Sequence, residues 1–320
     1  MSGAALLALL LACASSPSSQ VPAGGVLRFG ARGSHQFAIN DLAWLDEERH
    51  LTMHARVYYP TDQGRHPLII FSHGLGNSRF GYPYLGKHWA SWGFISVHLE
   101  HPGAGEDLSH RGPLAIYRAG FDHALWLSTP ADVHQALDYL LSGNAPPFIR
   151  DRIDTHAIGV AGHSLGAFVA LATAGAIRTL DQTPAATLAD GRIRAAIALS
   201  MSENLESADY GSTDVPILHM TGSRDSSLLY GTTQRMRRLP FDSIKGSTQM
   251  LVTIRGANHS TFSADDRSAR GERLELIKAA TTLWWRAWLE NDAESRRTLF
   301  ASTMSSQVAP LATIETRNVR

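Results

Sequence analysis

Apolar runs rich in β-branched residues alternate with helical patterns from about residue 50 to residue 290, and this alternation most restricts the possible fold. Strands that alternate with helices are typical of a mostly parallel sheet covered by helices. The sequence therefore predicts an α/β protein whose twisted sheet has about eight strands. The strands are predicted at 36–44, 51–59, 67–72, 94–99, 157–162, 193–199, 216–221 and 249–254.

The first two predicted strands form an antiparallel edge, because only the short polar stretch "LDEERH" separates them. Thr129 and Pro130 are typical of a helix start, where a capping hydroxyl precedes a proline in the first turn. Trp284, Trp285 and Trp288 have helical spacing, which favours core packing over a membrane or sugar-binding role. Helices are predicted at 82–92, 129–142, 165–179, 232–238 and 271–290.

The 320 residues are enough for one large domain, which we expect to span residues 26–295. The apolar periodicity fades after about residue 291, so residues 296–320 are expected to form a loosely attached tail. The 29 basic and 29 acidic side chains balance, and no run of five like charges occurs. This argues against nucleic acid or an acidic membrane surface as the partner and favours a small or neutral molecule.

The only cysteine, Cys13, follows the apolar stretch "LLALLLA", which is too short to span a bilayer as a helix. Residues 1–25 are typical of a secretion leader and tether, and Leu10, Ala12 and Cys13 resemble the lipobox of bacterial lipoproteins, whose cysteine is acylated. We expect an exported protein that is anchored to a membrane through Cys13. Ordinary secretion and a cytosolic location remain the alternatives. A single cysteine also excludes an intrachain disulfide.

Ser164 is the candidate nucleophile, because it stands between two glycines in "HAIGVAGHSLGAFVALATAG". The Gly-x-Ser-x-Gly pattern alone is a weak signal in a chain with 27 glycines. Here, however, an apolar strand enters the motif and an alanine-rich helix follows it without a polar linker. This context is the strand, tight turn and helix of a nucleophile elbow. The alternative is a structural serine in a turn.

A serine hydroxyl needs a general base, which in turn needs a carboxylate to hold its tautomer. His259 follows the last predicted strand in "LVTIRGANHSTF" and is the candidate base. Asp225 follows the preceding strand in "PILHMTGSRDSS" and is the candidate acid, with Glu203 and Asp209 as competitors. The chain order Ser, Asp, His is the one expected for a nucleophile elbow on an α/β sheet.

The loop "SHGLGN" after strand 67–72 is the candidate for half of an oxyanion hole. Two N–H donors must point at one developing oxyanion, one of them from the residue after the nucleophile. The predicted pair is therefore the backbone N–H of Leu75 and that of Leu165. The alternative is a tight turn without a further role.

No metal or other cofactor is predicted. His98, Glu100 and His101 suggest a metal site at first sight, but a strand turns its alternate residues to one face and no zinc-like ligand set accompanies them. Three stretches without clear periodicity (103–128, 200–214 and 225–247) follow strands and so belong to the edge where α/β folds bind ligands. Their candidate substrate-pocket residues are Tyr117, Phe121, Trp126 and Tyr230.

Residues 67–103 together with the motif "GHSLGA" resemble the platelet-activating-factor acetylhydrolase and dienelactone hydrolase-like branch of the α/β-hydrolase fold. The similarity extends over about residues 50–290. The resemblance implies a serine esterase that uses Ser164 and His259, with an oxyanion hole at Leu75 and Leu165. One departure is Ser200, which stands where the acetylhydrolases have their aspartate, and this favours Asp225 as the acid. The cysteine nucleophile of a dienelactone hydrolase is absent, so lactone specificity does not follow.

The sequence therefore predicts a carboxylic-ester hydrolase that works through an acyl-enzyme on a small or medium ester. A serine peptidase or an acyltransferase on the same fold would carry the same three side chains. A catalytically silent binding protein is the alternative from another class, and a fluorophosphonate probe separates it because only an activated serine reacts.

Overall fold

The computed structural model describes residues 25–180, 183–184, 188–201, 209–228, 230–264 and 271–318. The predicted leader and tether, with Cys13, lie outside the described residues except for Gly25. Among the described residues, no helix combines the length and the apolar character needed to cross a membrane.

The described strands form one large and one small sheet. Nine strands make the large sheet in the order β1-β2-β4-β3-β5-β8-β10-β11-β12, and β7-β6-β9 make the small one. The strands are β1 (Phe37–Asp46), β2 (Leu51–Pro60), β3 (His66–Ser72), β4 (Ile95–Glu100), β5 (Ile153–His163), β6 (Ile177–Leu180), β7 (Thr183–Pro184), β8 (Ile193–Leu199), β9 (Asp209–Tyr210), β10 (Ile217–Gly222), β11 (Gln249–Ile254) and β12 (Ala312–Arg317).

The centre of the large sheet is parallel, from β4 through β3, β5, β8 and β10 to β11. At one edge β1 pairs antiparallel with β2, and β2 pairs antiparallel with β4, so the predicted antiparallel N-terminal edge is confirmed. The mostly parallel α/β architecture that the alternation predicts is confirmed as well.

Helices cover both faces of the large sheet and bury two apolar clusters. Val133, Leu137 and Phe168, on α4 and α6, belong to the cluster on one face, and Trp89 and Trp285, on α1 and α8, to the cluster on the other. The helices are α1 (Pro83–Ser91), α2 (Glu106–His110), α3 (Pro113–Ala119), α4 (His123–Leu141), α5 (Pro147–Arg150), α6 (Leu165–Thr173), α7 (Gln234–Ser243), α8 (Glu272–Trp288), α9 (Ala293–Phe300) and α10 (Met304–Val308).

The helix expected to begin at Thr129 and Pro130 begins two turns earlier, at His123, where the side chain of Asp122 caps it. Proline inside a helix removes the N–H that would bind the carbonyl four residues before it. That carbonyl belongs to Trp126, and the hydroxyl of Thr129 donates to it at 2.9 Å. Thr129 and Pro130, which suggest a helix start, thus lie inside a helix. There the hydroxyl of Thr129 replaces the donor that Pro130 lacks.

Residues 296–318 do not form a loosely attached tail, which corrects the expectation of such a tail over 296–320 as far as the structure describes it. β12 pairs antiparallel with β11 along its whole length, from Ala312 opposite Ile254 to Arg317 opposite Gln249. Apolar side chains of α9 and α10 are buried against the rest of the molecule. The periodicity is weak here because the helices are short and the strand lies at the edge, so that each buries few residues. The buried apolar residues are Leu299, Met304, Val308 and Ala312.

Candidate active site

The carboxyl ends of five parallel strands meet at one edge of the large sheet. The register pairs Ser72 with Gly162, and His163 with Leu199, so β3, β5 and β8 end side by side. β10 and β11 end in register as well. The segments that follow these strands hold every sequence-predicted catalytic residue, which is why residues far apart in the chain lie close in space.

Ser164 is on a strained turn between β5 and α6. Its backbone angles are φ 58° and ψ −117°, a conformation that residues other than glycine rarely adopt. The flanking glycines permit the tight approach: a Cβ on Gly162 would lie 2.1 Å from the carbonyl oxygen of Gly166, and one on Gly166 would lie 1.9 Å from that of Ser72. The turn thus has the geometry expected of a nucleophile elbow.

His259 and Asp225 are adjacent. The Nδ1 of His259 lies 3.4 Å from Oδ1 of Asp225, which is fully buried, whereas about a third of the His259 side chain is exposed (34 %). Thr221 donates a hydrogen bond of 2.9 Å to the other carboxylate oxygen. His259 and Ser164 line one cavity. The structure therefore brings all three predicted catalytic side chains to the same place.

Arg237, on α7, completes the environment of Asp225. Its Nε lies 3.2 Å from Oδ1 of Asp225, and its guanidinium donates to the carbonyl oxygen of Met201. Burial alone would raise the pKa of Asp225, but the hydrogen bond with His259 and the charge of Arg237 hold that pKa well below its usual range. Burial lowers the pKa of His259, and the charge of Arg237 lowers it further, against the opposing effect of Asp225. An ionised Asp225 beside a neutral His259 results.

Ser200 is a further neighbour of His259 that the sequence indicates only as a departure from the acetylhydrolases. It is buried at the end of β8 with φ 45°, and its Oγ lies 2.6 Å from Nδ1 of His259. Ser200 also contributes to the low pKa of the Asp225 carboxyl. Because the ionised carboxylate of Asp225 can only accept, Nδ1 of His259 carries the proton, which leaves Nε2 with the lone pair that a general base needs.

His163 lines the same cavity and is hydrogen-bonded to the backbone of His259. A carbonyl oxygen can only accept, so Nε2 of His163 donates to the carbonyl of His259 at 3.1 Å. Nδ1 then accepts from the hydroxyl of Tyr82 at 2.8 Å. Burial lowers the pKa of His163 well below its usual value, so the ring stays neutral in this role. Tyr82 has no sequence signal of its own, since it is one aromatic residue among many.

The loop after β3 presents Leu75 to the cavity. The N–H of Gly76 donates to the carbonyl of Ala104 at 2.8 Å, and that of Asn77 to the carbonyl of Gly74 at 3.0 Å. Leu75, between these anchored neighbours, lines the cavity. Leu165 is the first residue of α6, and the first N–H groups of a helix have no partner within it. One predicted oxyanion amide thus belongs to the loop after β3, and the other to the N-terminus of α6, directly after Ser164.

The cavity at Ser164 and His259 has a volume of about 370 Å³. Of the four predicted pocket residues, Trp126 and Tyr230 line it, together with Ile116 and Leu75. Tyr117 and Phe121 do not line it, which corrects that expectation. Their rings pack against Tyr230, at 5.7 Å and 6.0 Å between centroids, so they form the outer layer of this wall.

The alternative candidates for the acid, and the residues that suggest a metal site, have other positions or other partners. Asp209 is exposed and pairs with Arg178 at 3.8 Å, away from His259, and Glu203 lies outside the described residues. His101 binds Asp132 at 2.7 Å. In the part of the chain that the structure describes, no group of three or more His, Cys, Asp or Glu side chains could hold a metal ion.

The family model for platelet-activating factor acetylhydrolase, isoform II, matches residues 59–106, from the end of β2 to the start of α2. The match includes the loop of Leu75 but not Ser164, Asp225 or His259. No curated protein matches the chain. The match supports a hydrolase activity. The matched family belongs to the α/β-hydrolase superfamily, and the nine-stranded, mostly parallel sheet with its flanking helices is consistent with that fold.

Proposed function

We propose that the chain is a serine carboxylic-ester hydrolase that works through an acyl-enzyme. One observation carries the proposal: a serine on a strained strand-to-helix turn shares a cavity with a histidine whose Nδ1 is 3.4 Å from a buried carboxylate. This is the arrangement of nucleophile, base and orienting acid that activates a serine hydroxyl. The match to an acetylhydrolase family model is consistent with it.

In the first half of the reaction, Oγ of Ser164 attacks the ester carbonyl while Nε2 of His259 takes the hydroxyl proton. Asp225, held ionised by its neighbours, stabilises the imidazolium that forms. The N–H groups of Leu75 and Leu165 bind the oxyanion of the tetrahedral intermediate. The intermediate collapses when the alcohol leaves with the proton from His259, and Ser164 keeps the acyl group.

In the second half, water replaces the alcohol. His259 takes a proton from the water molecule as it attacks the acyl carbon, and the same two amides bind the second oxyanion. Ser164 then leaves with the proton from His259, and the carboxylic acid is released. Every step uses the same base and the same oxyanion site, so no cofactor is needed.

The cavity suits a small or medium ester. Its volume of about 370 Å³ lies at the lower end of the range for small-molecule sites. Ile116, Trp126 and Tyr230 offer apolar surface for an acyl or aromatic group. Arg237 reaches the cavity, but Asp225 balances its charge, so an anionic substrate is not required.

The test is hydrolysis of p-nitrophenyl esters of increasing chain length, with fluorophosphonate labelling of the same preparations. We expect the label on Ser164 of the wild type, and we expect Ser164→Ala or His259→Ala to lower kcat by about 10⁴-fold or more. Asp225→Asn should lower it by about 10⁴-fold. Ser128→Ala, which changes an exposed serine on α4, is the matched control and should retain full turnover.

Three results would contradict the proposal. A wild-type protein that neither turns over esters nor takes the label is a binding protein. Faster hydrolysis of aminoacyl amides than of esters would indicate a peptidase. Full turnover by Ser164→Ala would exclude the acyl-enzyme.

A further inference from the structure

We propose that His73 is a positioning residue that aims the backbone N–H of Leu75 at the oxyanion. This inference rests on the proposed function, because it concerns the oxyanion site of the same reaction. His73 is buried at the start of the loop after β3 and does not line the cavity. It acts through the peptide bond that follows Gly74.

The hydrogen bonds of His73 fix its tautomer. Nδ1 lies 2.8 Å from the carbonyl oxygen of Gly74, and because a carbonyl only accepts, Nδ1 carries the proton. Nε2 accepts a 3.2 Å hydrogen bond from the backbone N–H of His101. Glu100 lies 4.0 Å from Nε2, beyond hydrogen-bond distance. Burial, and then the neighbouring His101, lower the pKa of His73, which favours this neutral ring.

The carbonyl that His73 binds belongs to the same peptide unit as the N–H of Leu75. A trans peptide is planar, so its C=O and N–H point in opposite directions. In the described chain only the peptide between Ala309 and Pro310 is cis, so the Gly74–Leu75 peptide is trans. Holding the carbonyl of Gly74 in the protein interior therefore turns the N–H of Leu75 the other way.

The interior partner of His73 is itself firmly held. Nδ1 of His101 lies 2.7 Å from Oδ2 of Asp132, and Arg49 donates to the other carboxylate oxygen at 2.7 Å. His101 and Asp132 are almost completely buried. The N–H of Asn77 also donates to the carbonyl of Gly74 at 3.0 Å. The orientation of the Gly74–Leu75 peptide is thus set before substrate binds, as electrostatic preorganisation requires.

A positioning role depends on the hydrogen bond that orients the Gly74–Leu75 peptide, whereas a purely structural role depends only on how well the side chain fills its space. Substitutions at position 73 separate the two, because asparagine can place an N–H near the position of Nδ1, whereas glutamine can place an acceptor near the position of Nε2. Leucine has the shape of asparagine but no donor. The donor to Gly74 is therefore kept in His73→Asn and lost in His73→Gln and His73→Leu.

The experiment measures kcat and KM for a p-nitrophenyl ester and the inhibition constant of a trifluoromethyl ketone, whose adduct with Ser164 carries an oxyanion. We expect His73→Gln and His73→Leu to lower kcat about 100-fold and to weaken the ketone about equally, with KM nearly unchanged. His73→Asn should stay within about tenfold of the wild type in both. Thermal unfolding of each variant checks that it is folded.

Equal losses in all three variants, or none, would overturn the positioning role, as would a rise in KM without a fall in kcat. If His73→Gln does not fold, the comparison of His73→Asn with the isosteric His73→Leu decides the question. A wild type without turnover that depends on Ser164 would instead refute the proposed function, and this inference with it. An active wild type with indistinguishable variants refutes this inference alone.

Discussion

Asp225 and Arg237 form a buried ion pair directly beside His259, and this pair controls the electrostatics of the site. Both side chains are nearly inaccessible to water, so their charges act at short range with little screening. The carboxylate favours a protonated His259, and the guanidinium favours a neutral one. The balance between them decides the pH at which His259 can act as a base.

Replacing Arg237 by methionine should move the acid limb of the pH profile to higher pH. In the proposed mechanism His259 acts as a base only when it is neutral, and the charge of Arg237 lowers its pKa. Without that charge the pKa rises, so a larger fraction of the base is protonated at any given acid pH. The measurement is kcat/KM of ester hydrolysis as a function of pH, which reports the free enzyme.

The control for this prediction is Arg238→Met, on the same helix. Arg238 pairs with Asp242 and Glu315 at the surface, so its removal should leave the profile in place. Breaking the buried pair costs about 3–5 kcal/mol of the free energy of unfolding, and the profile is therefore measured well below the melting temperature. If the acid limb of the Arg237→Met profile stays in place or moves to lower pH, the role assigned to Arg237 is contradicted.

At the scale of elements, the sequence predicts what local pattern determines and misses what distant contacts determine. β8 and β11 have the predicted limits, because buried parallel strands are short continuous apolar runs. The sequence misplaces the start of α4. The hydroxyl of Thr129, which binds the carbonyl that Pro130 leaves without a donor, also resembles an N-terminal cap. The burial of Arg237 beside Asp225 leaves no local signal, since α7 is a polar helix and the partners of Arg237, Asp225 and Met201, follow β10 and β8. Ser164, Asp225 and His259 are predictable because each follows a strand.

The crossing of α6 over the end of β3 gives a prediction at the scale of elements. A Cβ on Gly166 would lie 1.9 Å from the carbonyl oxygen of Ser72, immediately before the loop of Leu75. Gly166→Ala should push α6 and this loop apart, lowering the free energy of unfolding by about 1–3 kcal/mol and reducing kcat. The loss runs against helix propensity, which alone would favour alanine by about 1 kcal/mol.

Chemical denaturation and ester turnover measure this effect, and Gly143→Ala is the matched control. A Cβ on Gly143 would meet nothing within 4 Å, and its φ is not positive, so this variant should be neutral or slightly stabilised. Equal stability of the two variants would show that the approach of α6 to β3 can relax without cost.

At the scale of the whole molecule, the site depends on both ends of the described chain being tied into the sheet. β1 and β2 extend one side, and β12 covers the edge of β11, the strand that leads to His259. The residues of the site come from positions 73 to 263, and they meet because parallel strands end at one edge. Residues 293–318 line no part of the cavity, but β12 protects the edge of β11, the strand that leads to His259.

Removing residues 293–320 should therefore destabilise the molecule and impair the site. The deletion exposes the edge of β11 and the apolar surface on which Leu299, Met304 and Val308 pack. An exposed edge strand is a template for pairing with other chains, so we expect aggregation, a lower melting temperature and reduced ester turnover. Light scattering, thermal unfolding and ester hydrolysis measure these effects, with a chain that ends at Asn318 and keeps β12 as the control. A shortened protein with the light scattering and the melting temperature of the full chain would show that this segment is only loosely attached after all.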